Sequence, residues 1–198
     1  MRYDANHKER TRALLLAEAA AAIRSEGPDR VAVSRIMAAA GLTHGGFYAH
    51  FPSKDDLIAQ AVTYMFDAAY SVFLSATEGR TPADALANYI DVYLSPSKRD
   101  DRAHGCPFAA LGGDSPNFPE GARARFEDGV TRFVEGIRRL IEQLGAKDAE
   151  ALAHSTLAEL VGALMLARAQ QAHPTRSATT LRISRRSAKR RLGLDSRR

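Results

Sequence analysis

GLTHGGFYAHF, residues 41–51, sets two adjacent glycines directly before a run of aromatic and imidazole side chains, in a region whose flanking periodicity is helical. Each glycine costs a helix about 0.8–1 kcal/mol relative to alanine, so the pair needs a physical reason. Upstream, Ile36, Met37 and Ala40 recur at helical spacing, and Ser34 reads as the N-cap of a short helix over about 34–40 that Gly41 ends. Downstream, a second short helix is expected over about 43–50. Phe51-Pro52 then breaks the chain before Ser53 caps a long helix reaching about Thr77. Two short helices joined by a tight turn form a helix-turn-helix pattern. The second helix of such a pair enters the major groove with its N-terminal residues toward base edges and phosphates. Thr43 and His44 stand at that end. Glycine at 45 and 46 removes side-chain bulk, which allows close approach to a duplex. Tyr48 and His50 are placed to hydrogen-bond phosphate oxygens, while Phe47 and Phe51, four apart, are expected to anchor the helix on the core.

Over residues 31–58, VAVSRIMAAAGLTHGGFYAHFPSKDDLI, the chain shows a small-residue run, Ala-Gly, a capping Thr, an aromatic-Tyr-x-His-Phe run and a following Lys. This stretch resembles, without a gap, the DNA-binding signature of the TetR family of one-component bacterial repressors. By position, the resemblance implies that Thr43, His44, Gly45 and Tyr48 contact DNA, that His50 contacts phosphate, and that Lys54 is a cationic anchor at the start of the long helix. Ser34 joins the DNA-binding candidates. The implied fold is all-α, with an N-terminal three-helix helix-turn-helix DNA-binding domain over 1–53 and a helical ligand-binding and dimerisation domain over 54–198, the helix from 54 linking the two. The implied function is a homodimeric transcriptional repressor that binds a palindromic double-stranded DNA operator and is released by a small-molecule effector.

Around this motif the helical period continues through nearly the whole chain, with no convincing alternating strand. A first helix is expected over about 6–25, with Leu14, Leu15, Ala19, Ala22 and Ile23 inward and Gly27-Pro28 as the stop. Further helices are expected over about 82–94, 106–112, 122–144 and 147–171. Residues 95–105 and 172–180 read as loops, and the last 18 residues as a basic helix or an atypical basic tail. Phe66, Tyr70, Phe73, Tyr89, Tyr93, Phe108, Phe126 and Phe133 are candidates for lining an effector cavity, with ordinary core packing as the alternative. Their character points to an apolar or aromatic effector. Cys106 precedes Pro107 at a helix start near His104, a setting that lowers a thiol pKa. An electrophilic or oxidant effector acting there stands beside the alternative of a small buried packing residue. The last two long helices are expected to form the dimer interface as a four-helix bundle, with Gly162 permitting close approach.

Charge narrows the partners less than the net +5 implies. Arg176 to Arg198 holds nine Lys and Arg against one acid, so the first 175 residues carry 19 basic and 22 acidic groups. DNA binding therefore rests on local geometry, not on bulk charge. The single cysteine excludes an intrachain disulfide framework and fits a reducing compartment. No apolar leader is evident and no uninterrupted apolar stretch approaches about 20 residues, so a cytoplasmic protein without membrane contact is expected. No zinc-protease, nucleophile-elbow, phosphate-loop or dinucleotide motif is present, and neither an enzyme nor a cofactor is expected. A basic tail that binds nucleic acid without sequence preference, or a membrane surface, remains a separate reading of 176–198.

Overall fold

The structure, a computed structural model, describes residues 2–194; positions 195–198 of the expected basic segment lie outside the described residues. All regular elements among the described residues are helical. They are α1 (Arg2–Glu26), α2 (Val33–Ala39), a 3₁₀ turn (His44–Ala49), α3 (Lys54–Thr77), α4 (Pro82–Tyr93), α5 (Pro96–Asp100), α6 (Pro107–Leu111), a second 3₁₀ turn (Ser115–Asn117), α7 (Glu120–Gln143), α8 (Ala149–Ala169) and α9 (Pro174–Arg191).

Local chemistry sets most of the boundaries. Gly27 ends α1 with a φ of 85°, its N–H donating to the Ile23 carbonyl at 2.9 Å. Leu15, Ala19, Ala20 and Ile23 form the buried ridge of α1, while Leu14, expected inward, lies about a quarter-turn away and is exposed. Gly41 closes α2 with a φ of 69°. Its N–H donates to Ala38 at 3.0 Å and that of Leu42 to Met37 at 2.8 Å, the pair of bonds that defines a Schellman cap. Ser53 caps α3, its Oγ accepting the Asp56 N–H at 3.0 Å, and Thr81 caps α4 in the same way through Asp84.

Three expectations are corrected. Ser34 is not the N-cap of α2: the helix starts a residue earlier, Ala32 occupies the cap position, and its carbonyl accepts the Ile36 N–H at 3.2 Å. The loop expected at 95–105 contains α5, because Ser95 caps it from one end and Arg168 grips the other, donating to the carbonyls of Lys98 at 3.0 Å and Arg99 at 3.2 Å. The polar stretch 172–180 is mostly helix as well. Pro174 starts α9, and its inward positions, Ser177, Leu181 and Ala188, are small or apolar enough to sit closely on neighbouring helices. Ser177 is fully buried, yet its Oγ donates to the Ala167 carbonyl at 2.7 Å and accepts from Arg99 at 3.0 Å. A polar inward residue whose partners are complete carries little penalty.

By compactness the chain divides into two units, Met1–Ala68 with Arg102–Gly129, and Ala69–Asp101 with Val130–Arg198. In the first, Phe66, Phe108 and Phe126 meet edge to face, with centroids 5.0 and 5.3 Å from Phe66. In the second, Phe73 meets Tyr89 at 4.8 Å, Tyr70 at 5.2 Å and Phe133 at 6.0 Å, and Tyr93 extends the cluster from Tyr89. Two glycines inside α7 make room for these rings. A Cβ on Gly129 would stand 2.4 Å from the Phe66 ring, and one on Gly136 3.0 Å from that of Phe73. α3 and α8 also meet a length-and-composition test for membrane spans, which core helices pass too.

Gly129→Ala therefore overpacks a buried ring, a cost of about 1–3 kcal/mol. That outweighs the helix-propensity gain of about 1 kcal/mol. Urea denaturation should show a lowered midpoint for Gly129→Ala and a smaller loss for Gly136→Ala.

Candidate nucleic-acid interface

The turn at His44–Ala49 is 3₁₀, not the α-helix expected over 43–50. The Gly46 N–H donates to Thr43 at 3.0 Å and the His50 N–H to Phe47 at 2.9 Å, i→i+3 bonds that suit a short, glycine-weakened segment. Phe47 and Phe51 are 3% and 1% exposed, their centroids 5.8 Å apart, and they fasten the turn from beneath. The Arg12 guanidinium of α1 lies 5.1 Å from the Phe51 centroid and donates to Gln60 of α3, which in turn donates to Asp56 at 2.7 Å. α1, the turn and the start of α3 are thus held by one connected set of contacts.

The outer side of the turn is open. Thr43, His44, Gly45 and Tyr48 are all exposed, Tyr48 to 70%. Thr43 is the N-cap residue, yet its hydroxyl makes no cap bond and stays available. Neither glycine has a positive φ. A Cβ on Gly45 would meet nothing within 4 Å, and one on Gly46 only the Met37 methyl at 3.5 Å, an ordinary contact. Nothing among the described residues requires glycine at 45.

The remaining candidates sit differently. Ser34 is exposed on the first turn of α2. Lys54 turns to the loop after α1, its Nζ donating to the Asp29 carbonyl at 3.4 Å. His50 is half-buried, and its Nδ1 is buried with no hydrogen-bond partner among the described residues. Burial holds its pKa below the usual 6.5, and Lys8 and Arg12 add to the effect. These two cations, four apart on α1, belong to the site although the motif did not single them out; their helical spacing was the signal.

Of the effector candidates, Phe66, Phe108 and Phe126 fall in the first unit and Tyr70, Tyr89 and Tyr93 in the second. Cys106 is buried at the N-cap of α6, ahead of Pro107. The second unit also has a cleft of about 950 Å³ between α7 and α8, with Val130, Val134 and Ala149 among its apolar walls. Glu135 on its rim is held down to about 2 by hydrogen bonds from Arg138 and then Arg139, so it remains ionised.

Residues 15–61 match the family model of bacterial regulatory proteins of the tetR family, and residues 82–178 that of the LmrA/YxaF-like transcriptional regulator C-terminal domain. The chain belongs to the TetR family. It is a transcriptional regulator with a helix-turn-helix DNA-binding domain. A TetR transcriptional regulator from Chloroflexus aurantiacus shares 29% identity and a TM-score of 0.80, over 93% of this chain and 94% of that one. The reduced form of E. coli NemR superposes with a TM-score of 0.81 at 18% identity, over 91% and 96% of the two chains. A TetR regulator from Cytophaga hutchinsonii gives 0.80 at 19%, over 94% and 95%. No curated protein matches the chain.

The buried imidazole yields a direct check. With its folded pKa below 6.5, His50 binds fewer protons folded than unfolded, so its contribution to stability is present above that value and is lost as pH falls through it. An NMR titration should place its midpoint below 6.5, and Lys8→Ala should raise it. A midpoint at or above the ordinary value would contradict the burial described.

Proposed function

We propose that this TetR-family regulator is a homodimeric repressor that binds a palindromic operator through residues 43–50 and leaves it when a small molecule binds. The observation that carries the reading is a turn pinned from below by Phe47 and Phe51, open at Thr43, His44, Gly45 and Tyr48, where a Cβ added at Gly45 would meet no other part of the described residues within 4 Å. Thr43 and His44 face base edges, Gly45 supplies clearance, and Tyr48 and His50 contact phosphates. Lys8 and Arg12 reinforce the phosphate side, with Ser34 and Lys54 at its margin. Functionally, residues 1–53 bind DNA and 54–198 bind effector and partner. A ligand that favours a conformer with misplaced turns shifts the population away from the operator. The effector is apolar or aromatic and lies against either the rings of the first unit, Phe66, Phe108 and Phe126, or those of the second, Tyr70, Tyr89 and Tyr93. An electrophile or oxidant acting on Cys106 is the second reading, favoured by the position of the thiol at the start of α6. The protein acts in the cytoplasm and has no catalytic role.

Dimerisation is assigned to the outward side of α8. Ala151, Ala158, Met165, Leu166 and Ala169 are exposed there, and a Cβ on the intervening Gly162 would meet nothing within 4 Å. Leu166 is 60% exposed, a desolvation gain waiting for a second copy of the same helix. Ile183 on α9 is exposed as well.

Footprinting on the DNA upstream of the chain's own gene supplies the operator, and fluorescence anisotropy then tests the roles. Gly45→Ala should keep its thermal midpoint yet lose operator affinity by about tenfold or more, on the order of 1.4 kcal/mol. Tyr48→Ala should weaken binding to every duplex and flatten the salt slope by about one unit. Wild-type binding by both variants would overturn the reading. In sedimentation, Leu166→Glu should convert dimer to monomer, and an unchanged dimer would remove α8 from the interface. Operator release by N-ethylmaleimide in wild type but not in Cys106→Ala would favour the second effector reading; release in neither would exclude it.

A further inference from the structure

Apart from Arg176 and Arg185, the cations of α9 occupy two kinds of place. Lys189 and Arg191 flank the buried side, each tied to a carboxylate: Lys189 to Asp91 of α4 at 2.6 Å, Arg191 to Glu159 of α8 at 2.7 Å. Arg182, Arg186 and Arg190 stand on the side away from Leu181 and Ala188, and all three are exposed. None of them makes a hydrogen bond or ion pair among the described residues. Their i, i+4, i+8 spacing sets three guanidinium groups in a line, about 6 Å apart along the helix axis.

That line works against the helix that bears it, since like charges at i, i+4 cost about 0.2–0.5 kcal/mol per pair. It is also not one part of an evenly basic surface, because the first 175 residues hold more acids than bases. Nor does it fall within the matched family domains, the second of which ends at residue 178. A partner with regularly spaced anionic oxygens offsets the repulsion. Guanidinium groups favour phosphate through paired N–H donors. A bilayer surface fits less well: helices that lie on membranes insert an apolar face, whereas the outward side of α9 offers one exposed large apolar side chain, Ile183, beside its arginines, and Leu181 and Ala188 are buried in the fold.

We propose that Arg182, Arg186 and Arg190 form a second DNA contact, which grips the phosphate backbone of a duplex without reading its sequence. Such a contact keeps the regulator on DNA between operator encounters and raises its local concentration near the operator. It does not depend on operator recognition by residues 43–50, because phosphates alone are engaged.

The test uses the full chain carrying Arg182→Gln, Arg186→Gln and Arg190→Gln together, with a matching triple lysine variant that keeps the charge. Anisotropy with a random-sequence duplex is followed from about 50 to 200 mM salt. The glutamine variant should lose about tenfold or more in affinity, and its log–log salt slope should flatten by about 2–3 units, while the lysine variant retains most of the slope. A wild-type chain with no operator preference would sink the reading of residues 43–50 and leave this test intact. Unchanged random-duplex affinity and slope in the glutamine variant would overturn the proposal. So would an unchanged DNA affinity accompanied by lost binding to phosphatidylserine vesicles, or by an altered dimer mass in sedimentation, since these assign the line to a membrane or to the partner chain. If the triple variant lacks the wild-type circular dichroism spectrum, Arg186→Gln alone is used, with a flattening of about one unit expected and none contradicting.

Discussion

The burial of Phe47 and Phe51 beneath a six-residue turn is the contact on which the DNA-facing part of this protein depends. Taking a phenylalanine side chain out of water is worth about 1.5–3 kcal/mol, so the two rings together exceed the roughly 2 kcal/mol that adjacent glycines cost a helix. The turn can therefore be short, 3₁₀ and glycine-bearing and still hold its shape. Arg12 adds a lid over Phe51 and a link to Gln60, which ties the turn to α1 and α3. What is left outside is a small polar surface of Thr43, His44 and Tyr48 with a gap at Gly45, and no demand from the fold explains that gap.

Sequence alone made the all-helical architecture and the helix-turn-helix legible because their signals are local. Gly27, Gly41 and Ser53 act on bonds within a few residues of themselves, and each stands where its chemistry placed it. Features set by distant partners escaped. α5 is completed by Arg168, some seventy residues away, and α9 by small inward residues whose polar atoms find carbonyl and guanidinium partners. Ser34 failed as a cap because Ala32 already closes the first turn. Of the candidate site, the exposed set 43, 44, 45 and 48 was visible in the motif. The inward tilt of His50, the local use of Lys54 and the nearness of Lys8 and Arg12 needed the packing of α1 to become apparent.

The rest of the chain shows how a glycine inside one helix serves the packing of another. Gly129 and Gly136 sit inside α7 at a cost to helix propensity, and each is met by an aromatic ring of α3. Helix-period patterning alone does not distinguish such a glycine from a weak point, because the reason lies on another helix. Basic charge is likewise placed rather than spread. On α9, Lys189 and Arg191 fasten the helix to α4 and α8, while Arg182, Arg186 and Arg190 face solvent in a line.

Selection of bound duplexes from a random-sequence library tests the central claim most directly. The account predicts an enriched palindrome whose half-sites are centred about one helical turn, or a multiple of it, apart, with at least one position per half-site changing in preference when Thr43 and His44 are both replaced by alanine. No enriched sequence with the wild-type chain, or an enriched site indifferent to residues 43 and 44, would contradict it.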